Sequence, residues 1–114
     1  MLTHELIEML LQFRRDRDWE KFHTPKNLSA AMVVETGELL EIFQWARDDE
    51  VAGIAGTRRK DIEREVADIA ILLTYLCHDL GLSLDDCVSS KLKENAEKYP
   101  VDKAFGNAAK YDRL

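Results

Sequence analysis

Two helical stretches of this chain place pairs of acids where an amphipathic helix would bury aliphatic side chains. The first reads Ala31-Met32-Val33-Val34-Glu35-Thr36-Gly37-Glu38-Leu39-Leu40-Glu41-Ile42-Phe43, and the second Glu65-Val66-Ala67-Asp68-Ile69-Ala70-Ile71-Leu72-Leu73. In each, two acids stand three residues apart, so they share one helical face with Cβ atoms about 5–6 Å from each other. Carboxylates taken out of water without partners are costly. A fold of this chain must therefore leave both faces in solvent or bring the pairs to a compensating cation.

The surrounding pattern favours a shared seam. Ala31, Glu35, Glu38, Ile42 and Trp45 follow steps of four, three, four and three, and Asp61, Glu65, Asp68, Leu72 and Tyr75 repeat them. Asp61 can thus belong to the second acidic face. Beside it, Ile62, Val66, Ile69, Leu73, Leu76 and Leu80 form a purely apolar stripe, which is expected to pack in the core. Packed helix axes lie about 8–10 Å apart, so facing acid pairs can share one or two ions. Oxygen-only ligands favour magnesium, with manganese as a substitute, over zinc or copper. Gly37, between Glu35 and Glu38, costs about 1 kcal/mol relative to alanine in a helix interior. It predicts a close helix approach or room for a ligand, with ordinary packing as the plainer explanation.

Four helices are predicted, and no β-alternation is present, so the fold class is all-α and four-helix bundle-like. The first covers residues 3–18, with Leu6, Ile7, Leu10 and Phe13 on its apolar face. Pro25 makes the segment from Asp18 to Lys26 a loop. Asn27 or Ser29 is read as the cap of the second helix, which runs to about Ala46, and Gly53 and Gly56 mark a connector. Thr57 opens the third helix and Gly81 stops it. Ser83, with Asp86 three residues on, resembles a capping box for the fourth, which Pro100 ends.

The 114 residues are expected to form one domain, and 46% hydrophobic content supplies a core. No run is long enough for a bilayer and no basic-then-apolar leader stands at Met1, so a cytoplasmic protein without a membrane partner is the default. Cys77, Cys87, His4, His23 and His78 lack zinc or disulfide spacing. A net charge of −6 disfavours a nucleic acid polymer as partner. It leaves open a small polyanion carried with its own magnesium. Met9, Leu11, Val33, Leu40 and Phe43 are more apolar surface than one small bundle buries, which predicts subunit contacts.

Each candidate has a plainer reading. Paired acids are most often a solvated face, which would make the chain a non-catalytic all-α interaction module. Trp19 and Trp45 are core or interface aromatics, or flat surfaces for a base. Lys91 and Lys98 are a charged face, or they offset charge on a leaving pyrophosphate. A di-metal oxidase bundle needs Glu-x-x-His on two helices, and neither acidic pair has it.

Taken together, Glu35-x-x-Glu38 and Glu65-x-x-Asp68 resemble the E-x-x-E, spacer, E-x-x-D signature of the MazG-like nucleoside triphosphate pyrophosphohydrolases. The likeness extends through Arg17-Asp18-Trp19-Glu20-Lys21-Phe22-His23, Pro25-x-Asn27-Leu28, Phe43-Gln44-Trp45 and Lys91-x-x-x-Asn95-x-x-x-Tyr99-Pro100, and is nearest to the branch with the animal dCTP pyrophosphatases. It implies magnesium-dependent hydrolysis of a (deoxy)nucleoside triphosphate, dCTP or a modified dNTP, to the monophosphate and pyrophosphate. It further implies a role in nucleotide-pool sanitation and a homotetramer built as a dimer of dimers. By the same resemblance Glu35, Glu38, Glu65 and Asp68 hold the metal. Trp19 and Trp45 line the base and sugar pocket with His23 nearby, and Lys91, Asn95 and Tyr99 reach the sugar or phosphates. Where the animal branch has a tyrosine one turn after the aspartate, this chain has Leu72, which puts the dCTP preference in question.

Overall fold

In the computed structural model, residues 2–114 are described and they form helices without strands; Met1, where a leader would begin, lies outside them. Helix α1 spans His4–Asp16 and opens at Thr3, whose hydroxyl accepts the Leu6 N–H at 3.2 Å. Helix α2 spans Pro25–Phe43, α3 Val51–Thr57, α4 Arg59–Leu80, α5 Leu84–Lys98 and α6 Val101–Ala104. The four expected helices are α1, α2, α4 and α5.

The differences are local and have local causes. The second helix is capped by Thr24, which accepts the Asn27 N–H at 3.1 Å, and neither Asn27 nor Ser29 is its cap. Pro25 begins the helix because its missing N–H would have no partner in the first turn anyway. Asn27 instead donates its side-chain amide to the Phe22 carbonyl at 2.9 Å, tying the loop to the helix start. Helix α2 ends at Phe43, short of Ala46. The glycine-bearing connector contains α3, which Thr57 ends and does not cap. The Arg58 N–H donates back to the Ile54 carbonyl at 2.8 Å, so α3 leads directly into α4. Gly81, at a φ of +66°, supplies the left-handed residue that stops α4, and Ser83 accepts the Asp86 N–H at 3.3 Å as expected.

The chain divides into two compact units, Met1–Leu80 and Gly81–Leu114. In the first, α2 and α4 make the most extensive helix pairing, and α1 packs on α4. Leu11, Leu28 and Tyr75 form the buried centre, with Ile7, Leu10, Ile71, Leu72 and Leu76 packed around it. Leu11, expected at a subunit contact, is therefore a core residue of the protomer. The acidic stripe of α4 continues through Leu72 into this core. The purely apolar stripe does not lie at its centre: Val66 and Leu80 are each about half exposed. Met9, Val33 and Leu40 are exposed as well, at 61%, 72% and 60%. Gly37 has open space where a Cβ would stand, so no close helix approach within the protomer depends on it.

Arg14 joins α1 to α4. Its guanidinium makes two hydrogen bonds to the Asp79 carboxylate, at 2.7 and 2.9 Å, and lies 4.5 Å from the centre of the Tyr75 ring. The Tyr75 hydroxyl donates to the Leu10 carbonyl at 2.7 Å. The Arg14 side chain is 4% exposed and that of Asp79 26%, so water screens the pair little. The bond from Arg14 holds the Asp79 carboxyl below its ordinary range. Removing one partner strands the other, so Asp79→Asn is expected to cost about 2–3 kcal/mol in urea unfolding at neutral pH. Because the folded pKa is depressed, the pair's contribution is present above about pH 4 and is lost as pH falls through the folded value. The stability gap between wild type and Asp79→Asn should narrow over that acid range.

Candidate active site

Facing positions on α2 and α4 bring together three of the four signature acids. Glu35, Glu38 and Glu65 each offer a carboxylate oxygen, and these atoms lie within 4.8 Å of one another. Glu35 and Glu65 are half-buried, while Glu38 is exposed. The Oε2 atoms of Glu35 and Glu65 are buried and have no hydrogen-bond partner. No ion pair among the described residues engages these three acids or Asp68. Burial, then the adjoining Glu65 and Glu38 carboxyl groups, push the Glu35 pKa up to about 7. Burial likewise raises that of Glu65. Acceptor oxygens crowded together without donors are a donor set suited to a hard cation.

Asp68 stands one turn beyond Glu65 and is exposed. It shares with Glu35 the wall of a cavity of about 340 Å³, completed by Leu10, Phe13, Trp19, His23, Ile71, Leu72 and Tyr75. The loop after α1 sets the aromatic side of this cavity. Asp18 takes a left-handed turn at φ 54°, and the Trp19 N–H donates to the Arg14 carbonyl at 3.1 Å. The Trp19 ring then meets Phe13 edge-on at 5.7 Å, and His23 lies 5.3 Å from Tyr75. Burial, aided by the Arg14 charge, lowers the His23 pKa, which keeps the imidazole neutral near pH 7. Its Nδ1 is buried without a partner. A second hollow of about 380 Å³, lined by Glu38, Glu41, Ile42, Arg58, Asp61 and Glu65, adjoins the carboxylates.

The remaining expected residues stand elsewhere. Trp45 follows the end of α2, is 88% exposed and does not line the aromatic cavity. Lys91, Asn95, Lys98 and Tyr99 belong to the second unit, at steps of four, three and one along α5 and its end. Lys91 and Lys98 both pair with Glu94, at 3.3 and 2.8 Å, and Tyr99 meets Tyr111 edge-on. Phe13, Tyr75 and Arg58 are wall residues that sequence reading did not single out as site residues. Tyr75 was visible as the continuation of the acidic stripe, and Phe13 only as an apolar helix face.

The fold and this centre define an all-α domain with a carboxylate cluster beside an aromatic cavity. Comparison with known proteins places it further. The sequence model of the MazG-like family matches residues 30–114. dCTP pyrophosphatase 1 of Mus musculus and of Bos taurus are each 40% identical over 105 residues, covering 90% of this chain and 62% of theirs. The Homo sapiens protein of that name is 38% identical. The chain thus spans less than two thirds of the length of these relatives. A crystal structure of a pyrophosphatase from Archaeoglobus fulgidus superposes with a TM-score of 0.83 at 41% identity, over 88% of this chain and 95% of that one. The chain belongs to the MazG-like family.

A raised carboxyl pKa gives the site a pH signature. Glu35 titrates near 7 when folded against 4.5 ordinarily, so the folded state holds the proton more tightly. The metal-free protein should therefore lose stability as pH rises from about 4.5 through about 7, and a cation that displaces the proton should restore it. Thermal unfolding at about pH 5.5 and 7.5 is the check: added magnesium should raise Tm more at the higher pH, and Glu35→Gln should shrink the difference.

Proposed function

We propose that this protein hydrolyses a (deoxy)nucleoside triphosphate to the monophosphate and pyrophosphate, with magnesium as cofactor and manganese as a substitute. The observation that carries the reading is the convergence of Glu35, Glu38 and Glu65, with a buried unpartnered oxygen on Glu35 and on Glu65, next to an aromatic cavity that Glu35 itself lines. The activity for which the dCTP pyrophosphatase 1 relatives and the archaeal pyrophosphatase are named supports it.

Glu35, Glu38 and Glu65 would hold the cation, and Asp68 would close the shell from the cavity side. Magnesium, when bound, neutralises the triphosphate and makes water a competent nucleophile. Trp19 and Phe13 offer ring surfaces to the base, and stacking of this kind contributes about 1–3 kcal/mol. Tyr75 offers only its ring, since its hydroxyl is engaged by the Leu10 carbonyl. His23, neutral and with Nδ1 free of other partners among the described residues, is the polar group suited to reading the base or sugar. The substrate in this reading is dCTP or a modified dNTP; Leu72, which brings no hydroxyl, weighs against dCTP and for a dNTP whose substituent the apolar wall accommodates.

Trp45, Lys91, Asn95, Lys98 and Tyr99 are further substrate-binding residues in this reading. Exposed Met9, Val33 and Leu40 and half-exposed Val66 and Leu80 are the surfaces for a homotetramer built as a dimer of dimers. Residues 1–114 would form one catalytic domain. No single helix among the described residues is long and apolar enough to cross a membrane. Sanitation of the nucleotide pool in the cytoplasm is the role that goes with this chemistry.

Three measurements test the proposal. Hydrolysis in oxygen-18 water should place the label in the nucleoside monophosphate, because attack at the α-phosphorus is what releases pyrophosphate. Orthophosphate and a diphosphate as products would mean a different hydrolase. Glu38→Gln and Asp68→Asn should retain the fold and lower turnover at least about a hundredfold, by removing a charged ligand from a metal-dependent step. Full activity in both would remove the metal-site assignment. If no triphosphate is cleaved and magnesium leaves stability unchanged, the chain is an interaction module with a solvated acidic face. Sedimentation at micromolar concentration should give a tetramer, and Val33→Glu or Leu40→Glu should shift it to smaller species.

A further inference from the structure

We propose that Arg58 binds the two terminal phosphates of the substrate and the pyrophosphate that they become; this rests on the function proposed above. The carboxylates stand between two different hollows. Glu35 and Asp68 face the aromatic cavity, which holds ring surfaces, whereas Glu38 and Glu65 face the polar hollow, whose other walls are Glu41, Ile42, Arg58 and Asp61. A nucleoside triphosphate is itself graded this way, from a flat base through the α-phosphate to a highly charged end. With the base among Trp19, Phe13 and Tyr75 and the α-phosphate at the cluster, the β- and γ-phosphates extend into the polar hollow. Arg58 is the one cation lining it among the described residues.

Its geometry suits the task. Nε donates to the Asp61 carboxylate at 3.1 Å, and the terminal guanidinium nitrogens make no hydrogen bond among the described residues. The Asp61 contact, one turn along α4, holds the planar group while leaving its fork of donors available. With side chains 49% and 47% exposed, this ion pair does little for stability. A guanidinium fork matches two phosphate oxygens at once, which an ammonium does not. The surrounding acids outnumber it, so a polyphosphate enters this hollow only together with its cations. In the reaction, the water oxygen bonds to the α-phosphorus and the α–β bridge bond breaks. The bridging oxygen leaves with the electron pair as part of pyrophosphate, and one proton passes to solvent. Arg58 faces the charge that collects on that leaving group.

Calorimetric titration with pyrophosphate in magnesium buffer, beside titration with dCMP, tests the assignment on the whole chain. Arg58→Ala should weaken pyrophosphate binding about tenfold and leave dCMP binding within about twofold, since the lost contacts are charge-assisted bonds to the leaving group alone. Arg58→Lys should fall between, keeping the charge without the fork. The same order should appear in inhibition of wild-type and variant turnover by pyrophosphate. Unchanged pyrophosphate affinity in Arg58→Ala, or equal loss for both ligands, would overturn the proposal. If wild type cleaves no triphosphate yet binds pyrophosphate through Arg58, the contact stands and the proposed reaction falls.

Discussion

Like charges held together are the constraint on which this molecule turns. Glu35 and Glu65 sit on the two helices that pair most extensively, and each keeps one carboxylate oxygen out of solvent without a donor. Without a cation, burial first and the neighbouring Glu65 and Glu38 carboxyl groups second favour a retained proton, which is why Glu35 titrates near neutrality. Leu28 on α2, 1% exposed, and Tyr75 on α4, 4% exposed, anchor the helices beside the cluster. The packing energy of that small core has to exceed the electrostatic cost of the site.

The aromatic side is organised around a different residue. Arg14 reaches across to Asp79 with its guanidinium, covers the Tyr75 ring, and accepts the Trp19 N–H with its carbonyl. One side chain and one carbonyl therefore tie the end of α1 both to α4 and to the loop that carries Trp19 and His23. The ion pair's merit is directional, since an apolar substitute of equal volume would pack without specifying where the loop begins.

The acidic signature and the four long helices were legible because both follow from helical spacing. Glu35, Glu38 and Glu65 converge as the matched steps along two faces imply, and Gly81 stops α4 and Ser83 starts α5 by local chemistry. Boundaries failed where one residue serves two rules: Pro25 breaks a helix from within but starts one well. The core was harder to read. The apolar stripe with Val66 and Leu80 looked more buried than the stripe carrying acids, yet Tyr75 lies on the latter and is the buried residue of α4. Composition along one helix does not say which neighbour covers it. Arg14 and Arg58 were hidden for a related reason, since the partner of the first lies 65 positions away and the role of the second depends on a hollow between helices.

The cavity draws its walls from separate supports. Leu10 and Phe13 come from α1, Trp19 and His23 from the loop, and the carboxylates from the α2–α4 pair. The parts that would recognise a base can thus vary without displacing the parts that would hold the phosphates. Such a division lets one scaffold drift between nucleotides by small substitutions in α1 and its loop, while the cleavage centre stays under a much stricter geometric rule.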